Sequence, residues 1–470
     1  MYYRLMEPWT FRGFKKLPYA LRCEYGEKKH NRPLFLDKEV FMSLLDCNGE
    51  TEIDIETLPE KTRQVFEEFL EQGILQASET SLPALQSWQR YIVYPARYMR
   101  NAHWSITGKC NFHCRHCLLS APEAKHPQLP LQDCLHIVDE IASCGIRLVD
   151  ITGGEPLLRK DFAQIVEALT KYNIDIGTIF TNASLLDENV LKILKDNHQH
   201  PLFQLSFDGL GHHDWLRGVT GAEQDADKAF HLLQKEGYKC IAAMCIHKEN
   251  KDSLRDTIQY LADLDVMALR VNAPQSLGLW KKYEEEYALN NNEIVEVYKE
   301  CISHYFEDGM PIDIELDGYF ECKKGKKDYL VPLVRSFKDG LSFDQIPYCE
   351  AVNYNVYIGA DGKIAPCMGF ADTVLKDRFP SVLDNHLGQL SLDGYYHDVA
   401  STKLSAFLDK NKECQNCEHF RKCLGGCMLE GINDEGDYLI PDPQACYFHK
   451  HNIAEIIRKT ADDAIMKYCE

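Results

Sequence analysis

Three cysteines fall within eight residues, Cys110, Cys114 and Cys117, in a C-x3-C-x2-C array. Thiolates are ligands for soft metals, and three this close can hold three irons of a four-iron, four-sulfur cube. Electron-carrying ferredoxins supply a fourth cysteine. None follows nearby here, so the fourth iron keeps an open coordination position, and an open position is for chemistry. A tetrahedral zinc site with His113 or His116 as the fourth ligand is the competing reading. A second constellation begins with Cys349 and Cys367, which flank Gly362. It continues as Cys414-x2-Cys417-x5-Cys423-x3-Cys427 and ends at Cys446. A zinc ribbon over 414–427 competes for that segment. In all there are 19 cysteines among 470 residues, too many for small core side chains alone. A disulfide framework suits short secreted domains, and the first sixteen residues lack the apolar core and cleavage site of a secretion signal. No apolar run approaches the roughly 18 residues of a membrane span. The expectation is a cytoplasmic chain, without a membrane partner, whose cysteines bind metal.

These residues need elements to position them. From about residue 101 the chain repeats a strand–helix rhythm. Strands are expected over 103–106, 148–151, 174–180, 203–207, 241–246 and 268–271, and each is followed by a helical pattern. Six such units in a row call for parallel strands with right-handed crossovers, hence an α/β fold: an open (β/α)6 partial TIM barrel or a doubly wound sheet. Either architecture puts reactive residues at the carboxyl ends of the strands. Cys110–Cys117 follows the first strand. Gly153-Gly154-Glu155-Pro156 follows the second, where two glycines let backbone approach a bound molecule and an acid could hold an ammonium group. Thr181-Asn182 follows the third, and Ser206-Phe207-Asp208-Gly209 the fourth.

Residues 1–85 read as a small α+β module. Strand-like pieces at 19–22 and 34–36 precede helices over 38–45 and 60–72, then a closing strand at 73–75, a pattern that suggests a winged-helix unit. Residues 86–100 read as a linker, 101–310 as the barrel and 311–345 as a connector. Residues 346–450 form a turn-rich segment that needs metal staples to fold, and 451–470 an ordinary helix. The formal net charge of −20 argues against nucleic acid as a partner. Residues 1–32 nevertheless carry eight Lys and Arg, Lys28 among them, against three Glu, either a solvated basic strand pair or a site for an acidic ligand.

The Cys110, Cys114 and Cys117 array, together with Gly153-Gly154-Glu155-Pro156, resembles the signature of the radical S-adenosylmethionine (radical SAM) enzymes, although His116 replaces the usual aromatic. The seven later cysteines resemble the SPASM domain of radical SAM maturases, and the first module resembles the element that grips a precursor peptide's leader. The resemblance implies three [4Fe-4S] clusters, one for radical chemistry and two auxiliary, together with S-adenosylmethionine. Cys414, Cys417, Cys423 and Cys446 would hold the outer auxiliary cluster. Cys349, Cys367 and Cys427 would hold the inner one, with Cys322 or an open position completing it. Gly153, Gly154, Glu155 and Pro156 would line the cofactor's amino group. Thr181, Asn182, Ser206 and Asp208 would reach its ribose and carboxylate, with Arg217 or Arg270 pairing to the carboxylate. The implied activity is oxidative modification of a ribosomally made peptide through a 5′-deoxyadenosyl radical, most simply thioether formation, with a flavodoxin or ferredoxin as reductant. Carbon–carbon crosslinking, formylglycine formation and an electron-transfer protein are the alternatives. No catalytic base is named. The remaining cysteines, Cys245 among them, are expected to pack in the core.

Overall fold

The computed structural model describes residues 1–27, 29–335, 337, 340–433 and 435–469, so Lys28 lies outside the described residues. Two compact units emerge: Met1–Arg100 with Asp139–Leu148 and Asn385–Gly394, and the remainder of the chain.

The first unit holds β1 (Tyr2–Leu5), β2 (Trp9–Phe14), β3 (Leu17–Cys23), β4 (Leu34–Phe35), α1 (Lys38–Leu45), β5 (Asn48–Glu52), α2 (Glu60–Glu71), β6 (Leu75–Ser78) and β7 (Ile92–Tyr94). They make two sheets, β5-β1-β6 and β4-β3-β2-β7. Helix α1 buries Val40, Phe41 and Leu44, and α2 buries Thr62, Phe66 and Phe69; both sets follow helical spacing. Phe41 and Phe66 join Leu5, Phe11 and Leu21 in one core, where each fully buried side chain contributes about 1.5–3 kcal/mol. Residues 86–100 are therefore no plain linker. β7 pairs in parallel with β2, and the Gln89 side-chain amide donates to the carbonyls of Leu5 and Trp9. A three-residue strand with exposed Ile92 and Val93 leaves no periodicity to read.

Three of the eight basic residues near the N-terminus are interior clamps. Arg4 donates to the Pro83 carbonyl at 2.8 Å, and Arg12 to those of Trp88 and Arg90. Arg22 donates to Gly145 O, to Tyr94 Oη and to Glu24. Although burial works against it, Arg22 and Arg12 hold the Glu24 carboxyl below the usual range. The basic surplus at the surface is correspondingly smaller than the composition implies; Lys15, Lys16 and Arg32 are exposed.

Along the chain follow β8 (Asn101–Ser105), α3 (Leu131–Ser143, counted with the first unit from Asp139), β9 (Leu148–Thr152), α4 (Phe162–Lys171), β10 (Asp175–Thr181), α5 (Glu188–Asp196) and β11 (Leu202–Ser206). After these come α6 (His213–Arg217), α7 (Ala222–Glu236), β12 (Cys240–Cys245), α8 (Leu254–Asp263), β13 (Ala268–Asn272), α9 (Glu284–Tyr287) and α10 (Asn291–Glu307). Strands β8 to β13 are the six expected. The sheet runs further in both directions. β14 (Asp313–Leu316) pairs in parallel with β13, followed by the antiparallel β15 (Phe320–Cys322) and β16 (Tyr329–Leu330). At the other edge β17 (Asn355–Ile358) pairs in parallel with β8 and turns back through β18 (Ile364–Ala365). The connector over 311–345 thus contributes strands to the barrel sheet, and so does the cysteine-rich segment. Strands of two to four residues are too short to announce themselves by alternation.

Burial along the strands alternates. In β8, Ala102 and Trp104 are buried and His103 is not; in β11, Phe203 and Leu205 are buried while Gln204 and Ser206 are not. A parallel sheet covered on both faces reads as a continuous apolar run. Alternation with period two means that one face is packed and the other, polar face lines an interior left open for ligands.

Candidate active site

Cys110, Cys114 and Cys117 leave the carboxyl end of β8 on a loop that three other segments hold by backbone hydrogen bonds. After β9, Gly154 N donates to Thr107 O and Glu155 N to Lys109 O, each at 2.8 Å. At the end of α6, Arg217 O accepts from His113 N at 3.1 Å and Leu216 O from Arg115 N at 2.9 Å. Leu279 N donates to Cys117 O at 3.1 Å. Arg115 stacks over the rings of Trp215 and Tyr283. The paired glycines serve this docking. Gly153 sits at φ +151°, and a side chain at Gly154 would run into the Lys109 carbonyl. Their close approach is to the cysteine loop itself.

The three thiols open onto a cavity of about 330 Å³ at the carboxyl ends of the strands, shared with Gly153, Ser206, Arg217, Cys245 and Met368. Burial, more than any neighbour, pushes Cys110 up to about 12 and Cys117 to about 11, and the nearby Cys114 adds to both. A trio of thiols that burial and mutual repulsion keep protonated is a donor set that a bound metal would deprotonate. His116 faces the same cavity. Burial and then Arg217 hold its imidazole down to about 3, and its Nδ1 has no hydrogen-bond partner among the described residues.

The implied cofactor residues divide into two layers. Gly153, Gly154, Thr181, Asn182, Ser206 and Arg217 line the cavity, whereas Glu155, Pro156 and Asp208 are buried beneath it. The Glu155 carboxylate is engaged within the protein. It accepts from Leu157 N at 3.1 Å, Thr181 Oγ1 at 2.8 Å and Asn182 N at 2.8 Å, tying the end of β9 to that of β10. Complete burial still raises its carboxyl to about 7 against those donors. The Thr181 hydroxyl is thereby committed, and the Asn182 amide donates to Asn111 Oδ1 at 2.9 Å on the cysteine loop. Asp208, 0% exposed, accepts from Arg217 Nε at 2.6 Å and Nη2 at 3.1 Å and from Cys245 N at 2.9 Å, with His213 Nδ1 at 3.0 Å. Arg217 Nε and Nη2 and the Cys245 N–H hold both of its oxygens, so it positions Arg217. Arg270 is turned to Glu315 at 2.7 Å and Gln204 at 3.1 Å.

Cys245 and Met368 are cavity residues that sequence reasoning missed. The place of Cys245 at the carboxyl end of β12 was the available signal. Cys245 groups with His116 and Asp208, one potential ligand atom from each lying within 4.8 Å of the others.

The later cysteines gather in two sets. Burial, then Cys427 and Cys349, pushes Cys367 up to about 12. Burial, then Cys446, Cys423 and Cys417, pushes Cys414 up to about 11. The β17–β18 hairpin carries the first set, with Cys349 preceding the short helix into β17 and Cys367 following β18. Because β17 lies beside β8, and Tyr357 Oη meets Ser105 Oγ at 2.8 Å, that hairpin is anchored to the strand that bears the first cysteine loop. Asp442 joins the two sets. Its Oδ2 accepts from Cys427 N at 2.9 Å, and its Oδ1 from the first turn of the helix Pro443–Lys450, which carries Cys446. Cys322 belongs to neither. It lies in β15, buried, with its thiol against the carbonyls of Lys326 at 3.2 Å and Asp328 at 3.6 Å. The β14–β15 hairpin fixes it there, so the inner trio has no fourth cysteine among the described residues.

A cysteine trio on the loop after the first strand and a glycine pair after the second meet at an open cavity at the carboxyl ends of the strands. Residues 104–261 match the radical SAM superfamily. Among curated proteins it is similar to an AdoMet-dependent heme synthase of Methanosarcina barkeri, 23% identical over 73% of this chain and 95% of that one. It is also similar to the PqqA peptide cyclase of Granulibacter bethesdensis, 24% identical over 74% and 88%. Among solved structures, Streptococcus suis SuiB bound to the precursor peptide SuiA shares the fold over 94% of this chain and 99% of that one. Their TM-score is 0.64 at 18% identity. No helix among the described residues is long and apolar enough to cross a membrane.

Proposed function

We propose that this chain is a radical SAM peptide maturase that joins a cysteine sulfur of a ribosomally made precursor to a residue carbon, forming a thioether. Cys110, Cys114 and Cys117 would hold the radical-generating [4Fe-4S] cluster. Cys349, Cys367 and Cys427 would hold an inner auxiliary cluster, and Cys414, Cys417, Cys423 and Cys446 an outer one. When bound, the first cluster supplies the electron that cleaves S-adenosylmethionine to a radical able to take hydrogen from unactivated carbon.

The chain's own residues orient and enclose. Arg217, fixed on Asp208, turns its remaining guanidinium nitrogen toward the cavity, where it would pair with the methionyl carboxylate beside Ser206. Gly153 and Gly154 bring backbone to the cavity wall. The strand ends and the cysteine-rich segment, through Met368, wall the cavity. The observation that favours a thioether is the inner trio without a fourth cysteine. Such a donor set leaves room for a sulfur from the substrate, and its anchorage beside β8 brings that position near the radical's cavity. Peptide as substrate class is supported by the likeness to a peptide cyclase and by a fold shared with a precursor-bound enzyme over nearly the whole chain, first unit included.

The test is coexpression with a cysteine-containing peptide encoded beside the gene. A loss of two hydrogens that leaves the cysteine resistant to alkylation supports the thioether. The same mass loss with a freely alkylated cysteine would assign a carbon–carbon bond.

A further inference from the structure

Arg217 makes more contact with the first cysteine loop than carboxylate pairing needs. Its carbonyl accepts from His113 N at 3.1 Å, and its Nη1 lies 4.0 Å from Cys114 Sγ. The next residue, Gly218, sits at φ +67°, where a side chain would press on the His113 backbone. Main chain and side chain of one residue therefore grip the same segment. The guanidinium cannot swing away, because Nε and Nη2 are both spent on Asp208. Asp208 is in turn fixed by His213 and the Cys245 amide in a completely buried position.

An ion pair this deep forfeits so much hydration that it adds little to stability, so its presence calls for another use. Its orientation supplies one. The guanidinium is the part that meets the sulfur, with Nη1 4.0 Å from Cys114 Sγ, while the carboxylate lies toward His116 and Cys245, one ligand atom of each within 4.8 Å of the others. We propose that Arg217 is a positioning residue that sets the reduction potential of the cluster held by Cys110, Cys114 and Cys117, acting as an immobile positive charge against the Cys114 sulfur. A reduced cluster carries one more negative charge than an oxidised one. A fixed cation and an N–H donor directed at a ligand sulfur stabilise the reduced form, the more so in a medium of low dielectric. This rests on the reading that the trio binds a cluster, and it adds a role that Arg217 plays before S-adenosylmethionine arrives.

The experiment is a redox titration of the anaerobically reconstituted full chain, followed by electron paramagnetic resonance without S-adenosylmethionine. The relevant signal is identified by its absence from a C110A/C114A/C117A variant. Arg217→Gln should move its midpoint to more negative potential, and Arg217→Lys, which keeps the charge but loses the fork, should move it less. Since Arg217→Gln strands a buried carboxylate, the D208N/R217Q double variant, which replaces the ion pair by two amides, is the version to trust if the single one fails to fold. It should show a shift in the same negative direction but a smaller one, because the Asp208 charge that opposes Arg217 at the sulfur is removed with it. An unchanged or more positive midpoint in D208N/R217Q, with the signal intact, overturns the inference alone. Absence of the signal from the wild-type chain overturns it together with the cluster reading beneath it.

Discussion

Two sets of three cysteines in this molecule are built in opposite ways. Cys110, Cys114 and Cys117 lie within eight residues of sequence, on a loop that segments after β9, at α6 and around Leu279 clasp by backbone hydrogen bonds. Cys349, Cys367 and Cys427 come from segments far apart, assembled by a hairpin that joins the barrel sheet next to β8 and by Asp442 on Cys427 N. The first is a local motif on a rigid platform; the second exists only once the chain has folded. On the proposed reading, the first set generates the radical in a fixed geometry and the second, on the strand adjoining that platform, receives what the first produces.

The contrast has consequences of graded size. Cys114→Ala should abolish reductive cleavage of S-adenosylmethionine and remove about a third of the bound iron, four atoms of about twelve, by chromatography of 5′-deoxyadenosine and iron analysis. Cys367→Ala should leave that cleavage near the wild-type rate while the crosslinked peptide disappears from the mass spectrum; if cleavage falls equally, the two sites do not divide the work. Glu155→Gln presents donors where the native carboxylate accepts three, which should cost about 1–3 kcal/mol in urea unfolding. The Glu155 carboxyl, raised to about 7 by burial, holds a proton in the folded chain that the unfolded chain releases near an ordinary pKa of about 4.3. Folded stability should therefore fall as pH rises from about 5 to 7, and that slope should be missing from the Gln variant. Cys322→Ala should have the smallest effect, about 1 kcal/mol for a small buried side chain, with iron content unchanged. A loss of iron would return Cys322 to the inner set.

What could be read in the sequence follows the same division. The first trio, the Gly153-Gly154 pair and the six-strand rhythm depend on short spacings and simple periods, and each lies where it was expected. Of the later cysteines, Cys367 feels Cys427 and Cys349, and Cys414 feels Cys446, Cys423 and Cys417. Contacts across the fold were not legible. Glu155 looks like a ligand because it ends a strand, but only tertiary structure shows three donors already on it. Asp208 and Arg217 stand nine residues apart, with nothing to announce a buried pair. Arg12 and Arg22 count as surface charge in any composition, yet each is spent on interior carbonyls and Glu24. β7, β14 and β17 are too short for alternation to distinguish them from turns, which is why a linker and a connector were expected where strands extend two sheets. Cys322 is a candidate fourth ligand in sequence because an iron left without it needs water or substrate, but in the fold the β14–β15 hairpin holds its thiol against the carbonyls of Lys326 and Asp328.

The most direct test of the central claim is the anaerobic assay of the reconstituted chain with dithionite and S-adenosylmethionine, measuring 5′-deoxyadenosine and methionine together. Formation of both in equal amounts by the wild-type protein, and of neither by C110A/C114A/C117A, is the expected result. A colourless wild-type preparation that leaves S-adenosylmethionine intact, or equal turnover by the triple variant, would contradict it.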